Sequence, residues 1–240
     1  MIFDVYRDFN ITDYRCVLSL RDPEDKEKYH QDDEMWNKAE NGLREVLDEL
    51  GIEYTEEIGE AAFYGPKLDV NVRPAVGNEY TLSTCQLDFC LPAKFDLKYI
   101  DSDGSKKTPV VLHRAILGSL DRFMAYILEE TKGALPTWLS PIQVNIIPVN
   151  NQYHLEYAKE IEKLLCSEDI RVSLDDREEK LGYRIRESVM KKIPYTLIIG
   201  QKEVDNREIS YRMYGSEETV SISQEKFIEM IKKEIINKRK

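Results

Sequence analysis

Two residues in the segment 112–130 have side chains that packing alone does not explain. His113 ends an apolar run, and Arg122 lies inside a helix that the periodic apolar residues predict. A neutral imidazole is a common metal ligand, and a guanidinium pairs with phosphate or stacks on aromatic rings. Taken singly, the histidine could also be hydrogen-bonded in the core and the arginine could form a structural ion pair. Metal binding, phosphate binding and packing therefore all stay open at this point.

Other polar residues stand where they could line a site. Lys67 follows the turn sequence YGP, and Gln86 and Asp88 share one face of a strand predicted at 80–92. The segment 175–187 is rich in both signs of charge and leads into a helix. Each of these features could equally face water. A chemical role can be assigned only if the fold brings them together.

The composition is that of a globular protein. Hydrophobic residues make up 42% and charged residues 33% of the 240 residues. No apolar run approaches the roughly 20 residues that span a bilayer, and the N-terminus has no signal-peptide pattern. The cytoplasm is therefore the expected compartment, without membrane contact. The four cysteines form no CxxC pair and are expected to be reduced, mostly packing residues: Cys16, Cys85, Cys90 and Cys166.

The distribution of charge divides the chain into two parts. The net charge is −11, which argues against indiscriminate nucleic-acid binding. Residues 137–240 contain equal numbers of basic and acidic side chains, so the acidic excess lies in residues 1–136. Gly133, Pro136 and Pro141 interrupt the chain where this balance changes. We therefore predict two domains, 1–136 and 137–240.

Periodicity in the first domain predicts mainly strands, with two long helices. Strands are predicted at 14–21, within 62–72, at 80–92 and, short and buried, at 109–113, and helices at 33–51 and 115–130. Small residues, among them Gly118 and Ser119, lie beside the apolar stripe of the second helix. They leave room near Arg122 for something to approach the start of that helix.

In the second domain, strands alternate with helices of about a dozen residues. The strands are predicted at 142–149, 170–176, 195–204 and 208–215, and the helices at 153–168, 181–192 and 223–240. This order is typical of a small α/β domain with a mixed sheet. The expected fold class is therefore α+β for the first domain and α/β for the second.

Four segments, joined in a particular order and spacing, carry a family resemblance. They are GEAAFYGPKLD, STCQLDFCLP, VLHRAILGSLDRF and the run from 174 to 204. In this combination the chain resembles the C-terminal half of the threonyl-tRNA synthetases, a family of class II aminoacyl-tRNA synthetases. The resemblance covers essentially the whole chain. It implies part of the class II antiparallel sheet, including motif 3, in residues 1–136 and an anticodon-binding domain in residues 137–240.

The resemblance implies roles for the two residues considered first. In the family, the counterpart of His113 is one of three protein ligands of a zinc ion that binds threonine through its amino and hydroxyl groups. The counterpart of Arg122 is the motif 3 arginine, which lies against ATP. Tyr64 and Lys67 would line the active site, and Gln86 would reach the bound adenylate or threonine. The implied cofactors are ATP, Mg²⁺ and Zn²⁺.

Two further sets of residues follow from the same resemblance. Ser119 would lie close to the active site, where Lys67 and Arg122 are the residues expected to act in catalysis. In the second domain, three residues match contacts to anticodon bases, and a lysine is expected to meet phosphate: Arg186, Glu203 and Arg212, and Lys192, next to Lys191. The implied partners are threonine, ATP and the tRNA for threonine.

The chain also departs from the family pattern. The family's other two zinc ligands, a cysteine and a histidine, lie upstream of the matched region, and Cys16, Cys85 and His30 do not match them. Motif 1, which forms the family's dimer, and motif 2, whose arginine holds the α-phosphate, have no counterpart here. Thr81 and Glu178 stand where the family usually has a glutamine and an asparagine. An incomplete zinc site is therefore expected, and a homodimer is implied only through a motif not found here.

The function implied by the resemblance is ligation of threonine to its tRNA through a threonyl-adenylate. We expect this chain to be a fragment that is inactive in the first step by itself. Two alternatives stay open: a non-catalytic tRNA-binding or regulatory paralogue, and one half of a split synthetase. The presence of all the matched active-site residues favours the ligase over the paralogue.

Overall fold

The computed structural model describes residues 1–75 and 77–238. The chain forms two compact units, Met1–Glu129 and Glu130–Lys240. The boundary predicted from charge and turn residues, after residue 136, lies a few residues further along the chain. Within the described ranges, no helix is long and apolar enough to cross a membrane.

The first unit is built on a five-stranded sheet. Its elements are α1 (Ile2–Asp8), β1 (Tyr14–Leu20), α2 (Asp33–Glu49), β2 (Tyr54–Ile58), β3 (Lys67–Val72), β4 (Tyr80–Asp88), α3 (Cys90–Lys94), β5 (Tyr99–Ile100), β6 (Lys106–Lys107), β7 (Val111–Ala115) and α4 (Leu120–Glu130). The strand order is β2-β1-β3-β4-β7, and β5 pairs with β6 in a separate hairpin. All neighbours in the large sheet are antiparallel except β1 and β2. The predicted antiparallel sheet with helices is confirmed.

Helix α2 shows how the sequence produces these elements. The Asp32 side chain accepts a hydrogen bond from the backbone N–H of Met35 and so caps the first turn. Trp36 and Leu47 are buried on one face of the helix. The helix ends before Gly51, whose φ of +63° is the left-handed conformation that terminates helices.

Two elements are shorter than predicted because polar side chains cap the turns that end or begin them. The strand predicted at 80–92 ends at Asp88, whose Oδ1 accepts from the backbone N–H groups of Cys90 and Leu91 and turns the chain into α3. The helix predicted at 115–130 starts only at Leu120, because Gly118 has a φ of +64° and the Ser119 hydroxyl accepts from the backbone N–H of Arg122. Local capping therefore sets the end of β4 and the start of α4, and both elements are shorter than the periodicity predicts.

The prediction of a buried strand at 109–113 was wrong about burial. The strand is β7, which forms the edge of the sheet, and Leu112 is 55% exposed. Apolar composition suggested a strand with both faces covered. Its position at the edge leaves His113 partly open to solvent instead.

The second unit contains the predicted mixed sheet. Its elements are β8 (Val144–Pro148), α5 (Asn151–Ser167), β9 (Val172–Leu174), α6 (Leu181–Met190), β10 (Tyr195–Ile199), α7 (Gln201–Asn206), β11 (Glu208–Met213), β12 (Val220–Ser223) and α8 (Gln224–Ile236). The strand order is β12-β11-β10-β8-β9, with β8 parallel to both β9 and β10. Helices α5 and α8 pack their apolar residues against one face of the sheet. On the opposite face, Ser188 of α6 and Thr196 of β10 share a hydrogen bond at 2.7 Å.

The sequence pattern missed two elements of this unit. The strand predicted at 195–204 ends at Ile199, and the short helix α7 follows, with the Glu203 side chain accepting from the backbone N–H of Gly200. Strand β12 was also missed, because its four residues form too short a pattern to stand out. The helix predicted at 223–240 ends at Ile236, and positions 239–240 of that prediction lie outside the described residues.

Candidate functional site

Four strands of the first sheet place polar side chains in one row. Ser19 pairs with Lys67, Lys67 pairs with Gln86, and Gln86 pairs with His113. Side chains directly opposite each other on neighbouring strands lie on the same face of a sheet. The fold therefore brings together three residues that the sequence singled out in separate segments.

His113 lies against a buried carboxylate. Its Nε2 atom is 2.8 Å from Oδ2 of Asp88, which is completely buried. The His113 side chain is itself 43% exposed. One edge of the imidazole thus faces the protein while the rest of the ring faces the open side of the sheet.

Tyr64 lies over this row. Its hydroxyl donates a hydrogen bond of 2.6 Å to Oε1 of Gln86, and its ring centroid is 5.7 Å from that of His113. Burial raises the pKa of the Tyr64 hydroxyl, and the negative charge of Asp88 raises it further. The hydroxyl therefore stays protonated at neutral pH and acts as a donor that orients the Gln86 amide.

Lys67 is held by an ion pair that the sequence analysis overlooked. Its ammonium contacts Oδ2 of Asp69, and the hydroxyl of Ser19 donates to the same oxygen at 3.1 Å. Asp69 is buried and Lys67 is mostly buried. Because residues two apart on a strand share a face, the spacing of Lys67 and Asp69 was a signal that could have revealed the pair.

Ser119 and Arg122 lie at the start of α4. The Ser119 hydroxyl accepts from the backbone N–H of Arg122 at 3.3 Å, which caps the helix. The preceding Gly118 lies close to β4, since a Cβ atom there would be 3.2 Å from the carbonyl oxygen of Leu82. Arg122 is exposed, and among the described residues no hydrogen bond or ion pair involves its guanidinium. The same added atom at Gly118 would lie 4.0 Å from the Arg122 side chain, so this arginine lies near the strand that holds Gln86.

The first unit contains His113, the one zinc ligand that the resemblance predicts in this chain. In the ranges 1–75 and 77–238, no group of three or more His, Cys, Asp or Glu side chains could hold a metal ion. His113 fits as a single zinc ligand, because a ligating histidine is partly open on one side and commonly donates its other ring N–H to a carboxylate.

The outer face of α6 carries exposed groups suited to RNA. Arg186 is exposed, and so are Tyr183 and Met190 on the same helix. Glu187 accepts instead from Arg177 at 2.6 Å and from Tyr183 at 3.0 Å. Arg186 is therefore not paired with its acidic neighbour Glu187.

Glu203 and Arg212, two further residues matched to anticodon contacts, both make hydrogen bonds within the second unit. The two carboxylate oxygens of Glu203 accept from the backbone N–H of Gly200 at 2.9 Å and from the hydroxyl of Ser210 at 2.6 Å. Arg212 donates from Nε to the hydroxyl of Thr219 at 2.8 Å. These contacts hold both side chains in place, whereas the exposed Arg186 has no hydrogen bond or ion pair with the residues that the structure describes.

The two lysines after α6 differ in environment. Lys191 is exposed, whereas Lys192 is half-buried and donates from Nζ to the backbone carbonyl of Lys132. A lysine held in this way is less available to phosphate than its neighbour.

Comparison with known proteins identifies the family. Residues 6–131 match the family described as tRNA synthetase class II core domain (G, H, P, S and T). The chain belongs to this class II synthetase family. Residues 143–234 match the family described as anticodon binding domain.

Similar proteins point to the threonine-specific branch of these synthetases. The chain is 58% identical over 228 residues to the threonine–tRNA ligases of Staphylococcus aureus strains JH9 and Newman. This match covers 95% of the chain, which spans about a third (35%) of the length of these curated relatives.

Solved structures give the same result. The RNA binding domain of threonyl-tRNA synthetase from Cryptosporidium parvum Iowa II superposes with a TM-score of 0.87 at 34% identity, covering 97% of this chain and 57% of that one. A putative threonyl-tRNA synthetase, ThrRS-1 from Aeropyrum pernix, gives a TM-score of 0.75 at 26% identity, covering 99% and 60%. The class II synthetase resemblance stated from the sequence is confirmed.

Proposed function

We propose that this chain is part of a threonine–tRNA ligase, which activates threonine with ATP and transfers it to the tRNA for threonine. One observation carries the proposal: Lys67, Gln86 and His113 stand in a single row on a class II core sheet, with Tyr64 above them. The similarity to threonine–tRNA ligases supports the choice of amino acid.

In this proposal, each side chain of the row has a binding or positioning task. His113 supplies one nitrogen ligand to Zn²⁺, which when bound would select threonine through its amino and hydroxyl groups. Gln86, oriented by Tyr64, offers its amide to the adenylate or the amino acid. Lys67 adds positive charge close to the same place, and Arg122 lies against ATP, whose phosphates Mg²⁺ accompanies.

The second unit would recognise the anticodon. The exposed Arg186 can pair with a base edge, and Tyr183 offers an aromatic surface for stacking. Glu203 and Arg212 would complete the base contacts from the positions their internal hydrogen bonds give them. The four free cysteines support the cytoplasm as the proposed compartment, and dimer formation stays a prediction from the resemblance.

A chimera tests the ligase function. The region of the Staphylococcus aureus ligase that matches this chain is replaced by the chain, and charging of the tRNA with threonine is measured. We expect charging in the parent chimera and a large loss in His113→Ala and Gln86→Ala, with no loss in Lys163→Ala, an exposed change on α5. A chimera that folds as a single species and does not charge tRNA would contradict the ligase proposal and favour the binding paralogue.

An RNA-binding measurement tests the second unit separately. We expect the chain to prefer an anticodon stem-loop of the threonine type over an unrelated one, and Arg186→Ala to lose ~1–3 kcal/mol of that preference. Lys163→Ala removes a positive charge from the helix on the other face of the sheet and should leave the preference unchanged. An unchanged preference in Arg186→Ala would remove this residue from the proposed interface.

A further inference from the structure

Asp88 is the buried carboxylate that contacts the proposed metal ligand His113. It lies at the end of β4, completely buried, with Oδ2 2.8 Å from Nε2 of His113. Its other oxygen accepts from the backbone N–H groups of Cys90 at 3.0 Å and Leu91 at 2.9 Å. Both oxygens of this one carboxylate are therefore engaged, one by the turn into α3 and one by the imidazole.

This geometry determines where the imidazole carries its hydrogen. A carboxylate accepts hydrogen bonds and does not donate them, so the Nε2 atom of His113 must be the donor. A neutral imidazole has a single N–H group. Its Nδ1 atom is then left with a free lone pair, on the edge of the ring away from Asp88.

We propose that Asp88 is a positioning residue that holds His113 in the Nε2–H tautomer and presents Nδ1 as the zinc-ligating atom. The tautomer follows from the contacts of Asp88 alone. The assignment of zinc as the group that Nδ1 binds rests on the proposed function. In metal sites generally, a carboxylate partner of this kind orients the ligand, and its loss weakens metal binding.

The substitution Asp88→Asn gives an unusually specific expectation. The carboxamide oxygen is required by the N–H groups of Cys90 and Leu91, so its NH₂ group faces His113. An NH₂ group donates, and Nε2 must then accept. The variant should therefore move the hydrogen of His113 from Nε2 to Nδ1, which removes the lone pair meant for the metal.

Nitrogen-15 NMR of the 240-residue chain reads the tautomer directly. At a pH where the rings are neutral, each of the three histidines gives one protonated and one unprotonated ring nitrogen. His154 serves as the internal reference, because its Nδ1 accepts from the backbone N–H of Asn150 at 3.1 Å in the other unit. We expect Nε2–H for His113 in the parent chain, Nδ1–H in Asp88→Asn, and no change at His154. Nδ1–H at His113 in the parent chain would overturn the proposal, whether or not the variant folds.

A matched control separates the effect of Asp88 on the tautomer of His113 from its effect on the turn into α3. In Asp88→Ser, the hydroxyl can still accept from the N–H two residues on, but it is too short to reach the imidazole. His113 should then show both tautomers rather than a complete inversion. A ring that stays entirely in the Nε2–H form in the serine variant would mean that something other than Asp88 sets the tautomer, and would overturn the proposal.

Whether Nδ1 of His113 binds zinc is measured separately, in the ligase chimera. Competition with a chelator should show zinc affinity lowered by roughly 10–100-fold in Asp88→Asn, the usual effect of removing such a partner. Unchanged affinity would overturn the assignment of Nδ1 as the ligand. Failure of the proposed function would look different: a chimera that holds zinc with normal affinity and does not charge tRNA.

Discussion

At the residue scale, hydrogen-bond and ion-pair partners decide which side chains are held in place and which stay exposed. His113 is held by Asp88, Lys67 by Asp69, and Arg186 is left exposed because its acidic neighbour Glu187 is bound elsewhere. Each of these outcomes depends on which group occupies the other end of a hydrogen bond. A residue's type therefore shows what it can do, and its partner decides what it does.

The first prediction concerns a buried tyrosine of the second unit. Tyr195 and Thr137 both donate from their hydroxyls to the carboxylate of Glu234, and burial, followed by Glu234, raises the pKa of Tyr195. Tyr195→Phe leaves a partly buried carboxylate short of a donor, which should cost about 1–3 kcal/mol of the free energy of unfolding. Tyr211→Phe is the matched control, since Tyr211 packs against Tyr195 and its hydroxyl donates to the weakly accepting sulfur of Met230. Denaturant unfolding of both variants should show the larger loss in Tyr195→Phe; equal losses would contradict the assigned role.

A second residue-scale prediction concerns pH. The hydrogen bond from Arg177 lowers the pKa of Asp175 below its ordinary 3.8, and the same arginine, then Tyr183, lowers the pKa of Glu187. A lowered carboxyl pKa in the folded state adds stability above the unfolded pKa, and that stability is lost as pH falls through the folded pKa. Arg177→Gln should therefore lower the unfolding midpoint near neutral pH and leave it almost unchanged well below pH 3.8. A difference that persists undiminished in acid would show that the ion pairs are not its cause.

At the element scale, close backbone approach positions the loop that presents Tyr64. Gly65 lies so near β4 that a Cβ atom would be 1.9 Å from the carbonyl oxygen of Leu87. The side chain of Gln86, on the same strand, accepts from Tyr64. The glycine thus allows the loop to rest on the strand and brings the tyrosine over the row of polar residues.

Gly65→Ala tests this arrangement. The added methyl would overlap a backbone atom, so we expect a loss at the upper end of the ~1–3 kcal/mol that overpacking costs. Gly42→Ala is the matched control: Gly42 lies inside α2 with nothing within 4 Å of the added atom, and alanine there should gain up to about 1 kcal/mol. Thermal unfolding should move in opposite directions for the two variants. A neutral Gly65→Ala would show that the loop can be displaced freely.

At the scale of the whole molecule, each unit has its own sheet and its own hydrophobic core. The apolar residues of β8, β10, α5 and α8 form one core, and those of α1, β1, β3 and β4 contribute to another. The candidate catalytic residues lie in the first unit, and the candidate RNA contacts lie in the second unit. This separation allows the two proposed activities to be measured independently.

The isolated 240-residue chain should not catalyse threonine-dependent exchange between ATP and pyrophosphate. Its described residues supply one candidate zinc ligand and one candidate ATP-binding arginine, His113 and Arg122. Those two groups alone cannot stabilise the charge that develops on the α-phosphate. The exchange assay, with the charging-competent chimera as the positive control, should detect no threonine-dependent signal. Exchange at a rate near that of the chimera would show that the chain is catalytically self-sufficient.

The sequence by itself was sufficient to predict the family, the type of sheet in each domain and most of the strands and helices. Residue types at fixed spacing also marked the members of the row, Lys67, Gln86 and His113. These features depend on local periodicity and on motif order, both of which are written along the chain.

Only the tertiary structure decided which groups meet. The pairing register of β3, β4 and β7 placed Lys67, Gln86 and His113 side by side, and the edge position of β7 exposed a strand that its composition predicted to be buried. The contact between Asp88 and His113 joins two strands and leaves no pattern in the sequence. The physical reason is that strand register and burial are set by interactions between distant segments, whereas propensity and periodicity record only near neighbours.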